Sequence, residues 1–197
     1  MGIKEKFLKK IKNFFDELIT FLNKNRFSKF GNNSKILYGC ILNNPKLIEI
    51  EDNVFIGNHV WLNAGEDYKK EEVKLIIKKG SHISRFCHIN AFNKVIIEED
   101  ALIGESVYIG DADHSADDRN MPIIKQEIKV KGKVLIRSGC HICKGSVISA
   151  GVTVGKNAVV APGAFVTTDV PDYAMAIGSP ANIIENYNQN LNVSKPD

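Results

Sequence analysis

VLIRSGCHICKGSVISAGVTVGKNAVVAPGAFVTTDVP, residues 134–171, divides into sixes from Ile136: IRSGCH, ICKGSV, ISAGVT, VGKNAV, VAPGAF and VTTDVP. An aliphatic residue heads every block. Four positions after each head stands Cys140, Ser146, Val152, Ala158, Ala164 or Val170, all small or β-branched, and most positions between are Gly, polar or charged. A period of six with two inward positions is not helical, because an α-helix repeats its apolar face every 3.6 residues. It predicts a parallel β-helix, in which each six is a short strand and a turn, and stacked coils bury a shared aliphatic column.

The same rhythm runs upstream with interruptions. Its heads are Ile36 and Leu42; Ile50, Ile56 and Leu62; Ile77, Ile83 and Ile89; and Ile97, Ile103 and Ile109. With three sixes to a triangular coil they sort into three faces: Ile50, Ile77, Ile97, Ile136 and Val154; Ile56, Ile83, Ile103, Ile142 and Val160; and Leu62, Ile89, Ile109, Ile148 and Val166. Every interruption then falls between a third-face head and the next first-face head. These are a two-residue slip before Ile50, a loop around 65–74, a slip before Ile97 and a long loop around 111–133. Repeats supply rigidity and insertions on one edge supply function, so the site is expected at that corner.

The 197 residues suffice for one sizeable core plus appendages, and 26 basic against 23 acidic residues leave no basic surplus of the kind nucleic-acid binding requires. Four Cys (Cys40, Cys87, Cys140, Cys143) without a secretory signal predict reduced thiols and a cytoplasmic location. No apolar run approaches the ~20 residues of a membrane span. Within 1–30, Phe7, Ile11, Phe14, Leu18 and Phe21 step by four and three, which predicts an amphipathic helix. It either packs on its own domain or on subunit partners, or lies on a membrane through residues 3–27, since six Lys fall in the first 24 positions. Residues 33–184 form the repeat domain, and the polar, Asn-rich 185–197 are expected to fray.

The long insertion reads GDADHSADDRNMP (110–122). Asp113 stands four residues after the head Ile109, where a small inward residue belongs, so the chain is expected to leave the coil there. His114 sits at that departure among Asp111, Asp113, Asp117 and Asp118. A neutral imidazole near pH 7 takes a proton from a hydroxyl, and a carboxylate on its other nitrogen fixes the tautomer. His114 is therefore the candidate catalytic base; which Asp partners it stays open.

The heads, the D-x-D-H-S loop, the run SAGVTVGKNAVVAPGA, TTDVP and IGSPANII together resemble the hexapeptide-repeat acyltransferases over about residues 33–187, particularly the branch of maltose, galactoside and capsular or lipopolysaccharide O-acetyltransferases. The resemblance implies an all-β, left-handed parallel β-helix, an exception to the right-handed crossover rule, assembled as a homotrimer with acetyl-CoA in the groove between subunits. It implies His114 as the base for direct attack of an acceptor hydroxyl on the thioester, Asn90 as a wall of the acceptor pocket, and Asp111, Asp113 and Arg119 as acceptor contacts. Ser149, Ala150, Gly151 and Ala161 match backbone positions along the pantetheine arm, Thr167 and Thr168 the nucleotide end, and an N–H near Ala150 the oxyanion donor.

Three positions depart from the family pattern. His141 replaces a frequent Trp, and Thr168 and Asn182 replace two frequent Lys, so Lys144 or Lys156 would have to meet the cofactor's phosphates. No Cys or Ser is placed as a nucleophile, so a sequential mechanism is expected. Transfer to the nitrogen of a nucleotide-linked amino sugar is the first alternative; an idle trimeric scaffold is another. No metal is expected: a zinc site on this scaffold needs three converging imidazoles, and Cys140 and Cys143 diverge by the repeat.

Overall fold

The computed structural model describes residues 3–65 and 72–185. Strands of two or three residues alternate with tight turns and stack into three parallel sheets, with one helix at the start. The first face stacks Lys29–Phe30, Ile48–Ile50, Leu75–Ile77, Val95–Ile97, Val134–Ile136 and Thr153–Val154. The second begins at Lys35–Ile36 and the third at Ile41–Asn43.

The heads sort onto the faces as their spacing predicts. Ile50 pairs with Ile77, Ile77 with Ile97, Ile97 with Ile136 and Ile136 with Val154. Ile56, Ile83, Ile103, Ile142 and Val160 align on the second face, and Leu62, Ile89, Ile109, Ile148 and Val166 on the third. All of these heads are fully buried in one continuous core. Aliphatic side chains stacked on themselves along every face supply the main driving force for the fold. The small positions are buried too: Cys140, Ser146, Val152, Ala158, Ala164 and Val170 fill the corners.

The interruptions leave at one corner. The first slip is a 3-10 turn at Pro45–Leu47; the loop expected over 65–74 is described only at its two ends. The last is a hairpin in which Ala112–His114 runs antiparallel to Ile128–Val130. At the far end Met175–Ile177 extends the second face, and the chain then turns back, with Asn182–Ile184 antiparallel beside it. Gly178–Ala181 thus make a hairpin turn. Of the tail expected to fray, 186–197 lie outside the described residues.

The helix Ile3–Lys24 reaches the prism by its C-terminal part: Thr20 Oγ1 donates to Ile36 O and accepts from Ile36 N–H, both at 3.1 Å. No helix is long and apolar enough to cross a membrane among the described residues.

Candidate functional site

The corner where the third face ends carries a column of short polar and small residues. Ala64 N–H donates to Asn43 O, Ala91 N–H to Asn63 O, and Asp111 N–H to Asn90 O, so three coils continue straight past the third strand. Asp111 therefore occupies the inward position held below it by Ala64 and Ala91, and it is fully buried. Its carboxylate accepts the backbone N–H groups of Phe92 at 2.8 Å, Asn93 at 2.8 Å and Lys94 at 2.6 Å. Asp111 is thus the internal pin of the slip before Ile97, not an acceptor contact. The chain leaves the coil there, two residues earlier than the spacing suggested.

Beyond it the hairpin lifts away. Asp113 Oδ1 accepts the His114 N–H at 2.8 Å and Oδ2 faces Lys131 Nζ at 3.7 Å, while Asp117 pairs with Lys129 at 2.8 Å. The His114 side chain is exposed at the end of its strand, and no group among the described residues bonds its imidazole. Every aspartate the sequence offered as its partner is engaged elsewhere or turned outward.

At the hairpin's base a groove opens between Tyr108, Asp113, Lys131, Ser149, Ala150 and Phe165. The returning strand crosses so close that a Cβ on Gly132 would lie 2.9 Å from Gly151 Cα; Gly132 has φ +137° and Gly151 φ +82°, values suited to residues without a side chain. Ala150 and Gly151 form the middle of the turn Ser149–Val152, closed by Val152 N–H to Ser149 O at 3.4 Å. In neighbouring turns the equivalent glycine bonds the coil beneath, Gly145 N–H to Glu105 O and Gly163 N–H to Lys144 O. Beneath Gly151 the chain has left as the hairpin. The Gly151 N–H consequently has no partner among the described residues; the Ala150 N–H has none either, as at the equivalent Lys144 of the preceding turn, and both stand as donors beside the groove.

The other expected residues divide. Asn90 ends its third-face strand at the same corner, but its Oδ1 accepts from Asn63 Nδ2 at 2.7 Å. Thr167 and Thr168 are exposed one coil above Ser149. Ala161 lies on the second face with its N–H committed to Ala176 O and its carbonyl to Ser146 Oγ, so it offers no free donor. Arg119 is exposed at the outer end of the hairpin, away from the groove's lining. Lys144 Nζ is 3.2 Å from Glu105, and the ammonium of Lys156 has no partner among the described residues, yet they sit at the two other corners of the prism. Within one chain neither stands behind the Thr pair.

Three side chains meet in a contact that the sequence reading did not draw. Trp61, His88 and Tyr108 are outward neighbours in the third-face ladder, just before its heads. Trp61 and His88 stack with centroids 4.2 Å apart and planes 1° from parallel, Tyr108 meets His88 edge-on at 5.2 Å, and Trp61 Nε1 donates to Asn43 Oδ1 at 3.1 Å. Burial lowers the His88 pKa from its ordinary 6.5. The signal was available: residues preceding heads of one face must stack.

Cys140 points inward, fully buried, with burial pushing its thiol pKa up to about 11, while Cys143 is outward and half-buried. The pair diverges as the repeat requires. No group of three or more potential ligands is gathered for a metal among the described residues.

Residues 133–168 match the family model of bacterial transferase hexapeptide (six repeats). The chain carries the hexapeptide repeat of that family. Its prism is accordingly a left-handed parallel β-helix, the fold it shares with an acetyltransferase of Vibrio cholerae solved in complex with acetyl coenzyme A, at TM-score 0.58 and 24% identity over 86% of this chain and 76% of that one. A probable acetyltransferase of Mycobacterium tuberculosis is 30% identical over 144 residues, 72% of this chain and 46% of its own length. The dTDP-3-amino-3,6-dideoxy-alpha-D-galactopyranose 3-N-acetyltransferase of Aneurinibacillus thermoaerophilus is 46% identical over 52 residues, 26% of this hexapeptide-repeat chain and 27% of the enzyme. This chain therefore matches less than half the length of each of these two curated relatives.

Proposed function

We propose that this hexapeptide-repeat transferase moves the acetyl group of acetyl-CoA to a hydroxyl of a sugar, in the assembly of a surface polysaccharide on the cytoplasmic side. The observation that carries the reading is the pair of open donors, Ala150 and Gly151 N–H, beside a groove lined by Asp113, the neighbour of His114 on the same strand. Such donors fit the amides of a pantetheine arm and the oxyanion of an acyl-transfer intermediate. Lys131, at the groove's edge, adds a cation of the sign a CoA phosphate needs.

In this mechanism His114 removes the proton of the acceptor hydroxyl as its oxygen attacks the thioester carbonyl. The Ala150 N–H holds the negative charge that develops on the carbonyl oxygen. Collapse breaks the carbon–sulfur bond, and the imidazolium of His114 returns the proton to the departing thiolate. No covalent acyl-enzyme is needed. The working unit is a homotrimer in which a neighbouring copy closes the groove and supplies the group that orients His114; the exposed position of that side chain supports this. In the assembled site Asn90, Asp113 and Arg119 would face the acceptor, and Thr167 and Thr168 the nucleotide end of the cofactor.

A second reading is transfer to the amine of a nucleotide-linked amino sugar, favoured by the 46% identity to the dTDP-sugar N-acetyltransferase. Thiol release from acetyl-CoA, measured against a panel of free sugars, oligosaccharides and nucleotide-linked amino sugars, separates the two. Release stimulated by hydroxyl acceptors supports O-transfer; release stimulated only by amino sugars supports N-transfer. If the chain neither binds nor cleaves acetyl-CoA, both fall and an idle scaffold remains.

A further inference from the structure

The helix Ile3–Lys24 presents the wrong face to its own domain for a core element. Asp16, Ile19, Thr20 and Asn23, spaced i, i+3, i+4 and i+7, are its partly covered stripe, and Thr20 makes the bonds to Ile36. The apolar stripe looks away: Phe14 is 63% exposed, Phe21 61% and Leu22 64%, with Phe7, Phe15 and Leu18 also exposed. An apolar surface of this extent requires an occupant.

Two features identify it. The segment holds six lysines against three acidic residues, so the chain's whole surplus of three positive charges, 26 basic against 23 acidic, resides in this one helix. The apolar face is also broad and aromatic. Phe7, Ile11, Phe14, Leu18 and Phe21 would make a narrow coiled-coil seam alone, but Phe15 and Leu22 widen it beyond two positions in seven, and phenylalanine dominates it. Broad aromatic faces flanked by lysine suit the interface of an anionic bilayer, where rings enter the acyl boundary and ammonium groups meet lipid phosphates. Lys24 Nζ already lies 4.9 Å from the Phe21 ring centroid, at the rim between the two environments.

We infer that Ile3–Lys24 is a peripheral membrane anchor that lays its Phe-rich face on an anionic lipid surface and holds the β-helix against it through Thr20. The inference is independent of the acyl-transfer reading.

The test is sedimentation of the full chain with phosphatidylcholine vesicles, with and without phosphatidylglycerol, at low and high salt. The wild type should bind the anionic vesicles at least about tenfold more tightly than the neutral ones, less so in high salt. Phe14→Glu with Phe21→Glu should abolish binding while solution mass and melting temperature stay unchanged. Lys10→Glu with Lys24→Glu, which keeps the apolar face, should lose the preference for anionic lipid. Absence of wild-type binding to anionic vesicles overturns the inference. So does a Phe14→Glu, Phe21→Glu variant that falls from oligomer to single chains, since the face would then be a seam between copies.

Discussion

The backbone N–H of Lys94 donates to the carboxylate of Asp111 at 2.6 Å, tying the slip below Ile97 to the point where the long hairpin leaves the prism. Two irregularities at one corner are thus a single device: the buried carboxylate answers the amides that the slip would otherwise orphan.

Asp111→Ala would leave three partly buried backbone N–H groups without an acceptor. A loss on the order of 3 kcal/mol is expected, or roughly 10 °C in melting temperature. Asp111→Asn, which keeps one side-chain oxygen, should recover part of it. Thermal unfolding checks both, and an unchanged Asp111→Ala melt would return the residue to the list of acceptor contacts.

The register of the whole prism was legible because each head is an aliphatic residue whose stacking partner lies one coil away, and Ile50, Ile77, Ile97 and Ile136 tolerate no other alignment. The corner carrying the site was legible for the same reason. Asp111 was misread because an aspartate in a polar loop carries no mark of burial; what buries it is the unpaired turn 92–94, distant in sequence. The helix was recognised by its period, yet period does not say which side meets the domain, and here three polar residues and Ile19 do. The open donor at Gly151 could not be read, since it depends on what the neighbouring coil omits, and the one at Ala150 was reached only through the family resemblance.

Ala150→Pro tests the proposed oxyanion donor. Pro162 holds the equivalent place in the turn Ala161–Ala164, which closes with an Ala164 N–H to Ala161 O bond of 3.1 Å, so the turn accepts proline and the fold is expected to survive. Removing this N–H should lower kcat by about 100-fold or more with KM for acetyl-CoA changed little. Steady-state kinetics checks it; an unaltered kcat would remove Ala150 from the mechanism.

Burial holds the imidazoles of His88 and His82 below 6.5. Between that value and the lowered ones the unfolded chain binds protons that the folded chain does not, so stability present above about pH 6.5 is lost as pH falls. His88 has no alternative, because its Nε2 is buried and unbonded between Trp61 and Tyr108. The melting temperature should fall from about pH 7.5 to about pH 5, and His88→Phe should fall less. An equal fall in both would show that other groups govern the dependence.

The most direct measurement is acceptor-dependent thiol release from acetyl-CoA by wild type and His114→Ala, alongside CoA binding by calorimetry. His114→Ala is expected to reduce release by about 100-fold or more while CoA binds as to the wild type. Wild-type rates from His114→Ala would contradict the assignment of the base and, with it, the place of the reaction on the molecule.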